Sequence, residues 1–332
     1  DHIAQRDEID LDSFYSFYNV DPFAENPNAF DPNFESPKTD EFLIGVDHQL
    51  TNDFALSLNY TYRHFTDFQG RMPLGSSPET WALRGNAVGT AVAANGFALP
   101  FNVPFYGLTL DEPTTGELFL NRPDYDQTYH GLEFQAIKRL SNRWMARAGF
   151  NWMDWTQDVG PDSLIDPNNR WALGGQNDDG GIATGYGRGT IAMNSRWSFN
   201  VSGLWQGPWG INMAGNFFGR EGNPASYNIR ARTGDVNGTR PTNVIGHVDD
   251  FRLDDVFELD IRLEKVFKLG AVDITPSVDI FNVLNDDAIL QRESFAGDYN
   301  FNTQAFSRYS FFNDILEVQN PRIVRLGLRV AF

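Results

Sequence analysis

Nine segments of this chain alternate apolar and polar residues with a period of two, and the links between them are short and long by turns. Four pairs of segments read as hairpins: 42–50 with 54–68, 129–140 with 144–156, 195–205 with 209–220, and 256–267 with 272–283. A ninth segment, 323–332, ends the chain. Within each hairpin a turn of three or four residues suffices, whereas the links 69–128, 157–194, 221–255 and 284–322 are long. A side-chain period of two predicts β-strands, and tight turns make neighbouring strands antiparallel. Loops this long are uncommon in compact soluble domains. Short turns at one end and long loops at the other are the habit of outer-membrane barrels. The hairpins recur at unequal intervals, which disfavours a propeller or solenoid.

The apolar parity carries its rings in a particular place. In the second segment Phe54, Leu56, Leu58, Tyr60 and Tyr62 share one face, and Ala55, Ser57, Asn59, Thr61 and Arg63 share the other. Aromatics recur eight residues apart on the apolar parity: Phe54 and Tyr62, Trp144 and Trp152, Trp197 and Trp205, Trp209 and Phe217. Eight steps cover roughly 26 Å of strand, which rises about 20 Å when the strand is tilted. That is close to the apolar band between two interfacial belts, where indole and phenol rings meet both hydrocarbon and water. A sandwich core would put its bulk in the middle, but the middle here is Ala146, Ala148, Val201, Gly203 and Gly215. In the last segment Val324, Leu326, Leu328, Val330 and Phe332 alternate with Arg325, Gly327, Arg329 and Ala331. An alternating strand with a terminal aromatic is what barrel-assembly machinery recognises. Any edge strand ending in Phe is the plainer reading.

Composition is compatible with this. Mean hydropathy is −0.40 and no apolar run approaches the length of a membrane-spanning helix. A barrel strand meets lipid only at every second residue, so low hydropathy does not exclude a membrane. The formal net charge of −18 argues against nucleic acid as a partner, and the lack of cysteine excludes disulfides and thiolate chemistry. Two residues fit poorly. Pro276 falls inside the eighth segment, where a bulge is expected, and Lys265 shares an apolar face from which it must snorkel.

Candidate functional residues fall into three groups. Glu258, Asp260, Arg262, Glu264, Asp273, Asp279, Arg325 and Arg329 lie on the polar parity of the last three segments. They read as a lumen surface facing a plug or solute, or as a charge ladder that satisfies itself across strands. Link 69–128 holds the apolar stretch VGTAVAANGFALPFNVPFYGLTL. Its Phe101, Phe105 and Tyr106 are the first candidates for ligand contact, against simple self-packing of the loop. His247 with Asp249 and Asp250 is a weak acid–histidine constellation in another long link. No catalytic motif is present, so no enzyme and no resident cofactor is expected. Calcium is the one ion the loops offer oxygens to, at 177–181 and 21–31, and ordinary turn chemistry accounts for both.

The stretches YHGLEFQAIKRLSNRWMARAGFNW, FELDIRLEKVF, VDIFNVLN and NPRIVRLGLRVAF, in this order and spacing, resemble the C-terminal half of TonB-dependent receptors, the Oar-like group in particular. The resemblance implies an all-β, antiparallel transmembrane barrel in the bacterial outer membrane, of 22 strands with an N-terminal plug. If Phe332 ends in the periplasm, counting back nine strands places residues 1–40 in an extracellular loop and 41–332 in the barrel, as strands fourteen to twenty-two. The implied partners are an N-terminal remainder carrying the plug and other strands, TonB through that remainder, the barrel-assembly machinery and lipid. The start at Asp1 suggests a receptor cut in an extracellular loop, or simply a trimmed fragment. The expected function is solute uptake. The alternative is a structural or surface-interaction protein using the barrel as an anchor, and a barrel enzyme is a distant third.

Overall fold

A computed structural model describes residues 28–110, 116–122, 124–159, 187–190, 194–232, 239–244 and 250–332. All nine segments are strands of one antiparallel wall. They are β1 (Lys38–Thr51), β2 (Phe54–Thr66), β3 (Tyr125–Ser141), β4 (Trp144–Val159), β5 (Trp197–Gln206), β6 (Ile211–Arg220), β7 (Val256–Lys265, continued by Phe267–Leu269), β8 (Val272–Phe281) and β9 (Ile323–Ala331). Each pairs with its sequence neighbours, so the wall is an uninterrupted meander. A short strand, Gly187–Thr190, adds to the outer end of β4. Among the described residues β1 and β9 have no second neighbour, so the wall is an open arc.

Register keeps the two faces apart. One row crosses seven strands as Val46, Leu58, Phe134, Phe150, Phe199, Gly219 and Phe257. The row beside it, on the other face, runs Asp47, Ser57, Gln135, Gly149, Asn200, Phe218 and Glu258. A slip of one residue anywhere would have mixed these rows.

Three of the four turns are tighter than the sequence suggests, the exception being the one between β5 and β6. Ser141 pairs with Trp144 across Asn142 and Arg143, both in the left-handed region with φ of 48° and 68°. That is the twist a two-residue hairpin loop needs. Leu269 pairs with Val272 across Gly270, whose φ is 66°, so β7 runs further than expected.

Pro276 causes no bulge. The β8–β9 ladder runs through it opposite Leu328. On the other side, the pairs Glu264–Ser277 and Phe267–Ile274 stay in one register, and only the positions between them are unpaired. A missing N–H is accommodated by leaving a gap in the neighbour, not by inserting a residue.

The long links hold strands of their own and make a second body at the end opposite the tight turns. Trp81–Val92 and Ala98–Leu108 form a hairpin. Asn228–Arg232 and Phe295–Asn300 pair in parallel, flanked by Thr239–Asn243 and Ala305–Arg308. Smaller sheets join Ile289–Arg292 to Ile315–Val318, and Ala29–Phe30 and Gln69–Pro73 to Glu117–Asn121. Hairpin and four-stranded sheet enclose a core of Ala87, Ala91, Leu99, Phe101, Tyr227, Ile229, Ala296, Tyr299 and Phe312, among others.

Candidate functional site: the two faces of the wall and the loop cap

The polar face of β7, β8 and β9 brings charge together at one level. Register sets Arg262, Asp279 and Arg325 side by side. Arg262 Nη1 donates to Asp279 Oδ1 at 3.1 Å, and Arg325 Nε donates to Asp279 Oδ2 at 2.9 Å. Asp279 is buried between the two guanidiniums. Arg262 Nη2 also donates to Glu264 at 3.0 Å, and Asn212 Nδ2 on β6 donates to the other Glu264 oxygen at 3.1 Å. The expected ladder therefore exists, and it satisfies itself across four strands. Four predicted residues stand outside its hydrogen bonds, among them Asp273, which lies between Lys268 and Ala331 beside the β7–β8 turn. Asp260 accepts the backbone N–H of Asn282 at 2.9 Å, Glu258 lies opposite Phe218 towards the cap, and Arg329 lies opposite Thr275 towards the turns.

The polar face also carries an aromatic patch that the sequence reading passed over. Tyr129 and Trp155 are cross-strand partners with ring centroids 6.0 Å apart. Phe65 lies 6.0 Å from Trp155, and the Arg63 guanidinium sits 5.7 Å from the Tyr129 ring. The signal was available, because all three rings fall on the polar parity of their strands.

On the apolar face the side chains point outward. Val46 is 65 % exposed and Leu326 78 %. Trp144 pairs with Trp205, and Trp152 pairs with Trp197, which makes two levels of indoles across β4 and β5. Phe54 sits beside Lys138, and Tyr62 sits between Phe42 and His130. Two expected members of the belts do not belong. Trp209 lies in the Pro208–Gly210 turn with a φ of 58°, because β6 begins only at Ile211. Phe217 falls opposite Val201, midway between the tryptophan levels, with its ring 5.0 Å from Phe199.

At the cap end, Glu221 joins wall to loops. Arg196 Nη2 donates to it at 2.6 Å and Arg252 Nη1 lies 3.1 Å away. Burial pushes the Glu221 carboxyl up, but the Arg196 hydrogen bonds and the Arg252 charge outweigh it and hold its pKa below the ordinary value. At the opposite end Lys138, on the apolar parity of β3, reaches back to Asp53 at 2.7 Å and lies over the Trp144 ring. Hydrogen bonds from Lys138 and Ser141 hold Asp53 well below the usual carboxylate range. Lys265 likewise covers the Phe267 ring, 4.9 Å from its centroid.

The family model for the outer membrane beta barrel domain matches residues 12–225. The chain belongs to that family. Its apolar face is thereby the lipid face, its polar face lines the barrel interior, and it resides in the bacterial outer membrane. Three solved structures resemble this barrel domain. They are the outer membrane transporter YddB from Escherichia coli (12 % identity, TM-score 0.43), the FrpB iron transporter from Neisseria meningitidis (12 %, 0.44) and the siderophore receptor PirA from Acinetobacter baumannii (10 %, 0.42). They cover 89, 91 and 89 % of this chain, which spans 33, 32 and 31 % of theirs. No curated protein matches the chain.

In this barrel the loop aromatics are placed otherwise than expected. Phe105 is 1 % exposed and stacks on Phe301 at 4.9 Å, and Phe101 meets Phe306 edge-on at 5.0 Å. Both are core residues of the cap and present no ring to a ligand. Tyr106 is half-buried. The segment 177–181, residues 21–27, His247 and Asp249 lie outside the described residues. Among the described residues no group of three acidic, histidine or cysteine side chains is placed to hold a metal.

Proposed function

We propose that this chain is the C-terminal part of the wall of a TonB-dependent-type receptor, of the Oar-like group, and that it takes part in solute uptake rather than catalysis. The observation that carries the reading is the open nine-stranded arc with a polar, charge-laddered inner face. Closure is what removes exposed strand edges in a membrane, so an arc of this kind needs further strands. In this reading an N-terminal remainder supplies them, together with the plug and the contact to TonB. The row Arg262–Asp279–Arg325 faces that plug or the solute. Val324, Leu326, Leu328, Val330 and Phe332 present the signal read by barrel-assembly machinery.

The test is to extract the chain from outer membranes in detergent and identify what accompanies it by denaturing gel and N-terminal sequencing. A plug with about thirteen strands, covalently joined or as a stoichiometric second chain, is the expected result. A chain that closes alone into a small barrel, or is water-soluble, sinks the proposal. The folded cap favours a second reading, in which the barrel anchors a surface-interaction protein and the loops do the work. A plug-bearing remainder without any stable extracellular partner would count against it.

A further inference from the structure

We infer that the loop cap contains a small-molecule site for a carboxylate carried on an apolar or aromatic body. A cavity of about 260 Å³ opens where the tip of the 81–108 hairpin meets the links 221–255 and 284–322. Its apolar walls are three rings that hold one another in place. Phe97 lies 5.4 Å from Tyr227 and 5.7 Å from Phe251, and Tyr227 meets Phe251 edge-on at 5.3 Å. Rings fixed by mutual contact lose little freedom when a ligand packs against them.

The polar part of the lining includes Asn95, Asn313, Asp254 and two arginines, and of these Arg292 is the guanidinium with spare donors among the described residues. Arg292 is half-buried, and Nη1 donates to the Asn313 carbonyl at 3.1 Å. Among the described residues no carboxylate lies within ion-pair distance of it. Arg252, on the same lining, is committed instead to Glu221 at 3.1 Å and to the Gly222 carbonyl at 2.8 Å. Asp254 is exposed, with Oδ2 accepting the Ile289 N–H at 2.9 Å. A guanidinium offers five donors in a planar fork that matches a carboxylate. Half-buried and, among the described residues, without a counter-ion, it favours an anion that supplies one. The volume falls just below the usual range of ligand pockets, roughly 300–1,000 Å³, so it suits only a small ligand such as one ring with a short acidic tail.

This deepens the receptor reading, and rests on it only for what becomes of the ligand after binding. The experiment is equilibrium binding of radiolabelled 3-phenylpropionate to the detergent-extracted protein, with its neutral amide as competitor. Saturable binding of one acid per chain is expected. Loss of the ionic hydrogen bonds should make the amide about tenfold or more weaker. R292Q should weaken the acid by a similar factor, and R292K by less. Equal affinity for acid and amide, no saturable binding, or undiminished binding to R292Q would overturn the site. The acid–amide comparison uses the unaltered protein, so it decides even where R292Q misfolds. Failure to find a plug-bearing remainder would remove the receptor reading and leave this result unchanged.

Discussion

The wall and the cap use the same residues in opposite ways. In the wall the rings and aliphatics point outward: Phe134 is 39 % exposed, and the strands contribute hardly any fully buried side chain of size. In the cap the order is that of a water-soluble domain, with Phe312 and Ile229 at 0 %. The difference follows from the solvent. Lipid accepts apolar side chains as readily as a core does, so wall strands need only satisfy their backbones, which the ladders accomplish. The cap stands in water and must bury its apolar groups to hold a shape. One chain thus contains an inside-out sheet and a right-side-out domain, joined at Glu221.

The largest effect should come from making one substitution in both bodies. Phe312→Ala empties a fully buried position and should cost the cap about 3–5 kcal/mol. Phe134→Ala removes a ring from lipid, not from a protein core, and should cost the wall much less. Limited proteolysis of the cap and urea unfolding of the barrel in vesicles read the two separately. Equal losses would mean that the wall is packed against protein on its apolar face.

Next in size is a charge on either face of one strand. Val201→Arg places a guanidinium mid-wall towards lipid and should cost about 2–4 kcal/mol. Asn200→Arg, one residue away, points inward beside Asn216 and should be near neutral. If Asn200→Arg proved the more damaging in refolding assays, the faces would have been assigned the wrong way round.

Smaller again is the junction. Glu221→Gln removes an ionic acceptor from two arginines and should loosen cap from wall by about 1–3 kcal/mol. The native carboxyl has a lowered pKa, so its contribution is complete above the unfolded glutamate value of about 4.3 and is lost as pH falls through the folded value. Near-UV circular dichroism of the cap should therefore show an acid-sensitive loosening in the native chain. A Glu221→Gln variant with the same acid sensitivity would show that some other group is responsible.

How far each body could be read from sequence follows from the same contrast. All nine wall strands were legible, because a sheet between lipid and a wet lumen writes period two into every strand. The cap was not. Its strands are two to twelve residues long, and its central pair, Asn228–Arg232 with Phe295–Asn300, is parallel and joins two different links. No local pattern records such a pairing. Phe101 and Phe105 were visible as apolar, but only the pairing of distant links shows that they face a core. Trp209 was misplaced for a local reason, since its parity is correct and only the turn's backbone removes it from the strand.

Pro276 gives the smallest predicted effect and the finest test of the wall. A proline in a made ladder forfeits a hydrogen bond, which is why proline is rare inside sheets. Here the ladder to β7 is already interrupted opposite it, while the ladder to β9 continues in register. Pro276→Val restores an N–H where the neighbouring strand is unpaired, so barrel stability should change by no more than about 0.5 kcal/mol. Ile274→Pro, two residues along the same strand where both ladders are made, should cost several times more. Equal tolerance of proline at both positions in vesicle refolding would mean that the gap at Lys265 and Val266 is not what accommodates Pro276. A large gain from Pro276→Val would mean that the gap closes once a donor is available, and that the proline itself holds it open.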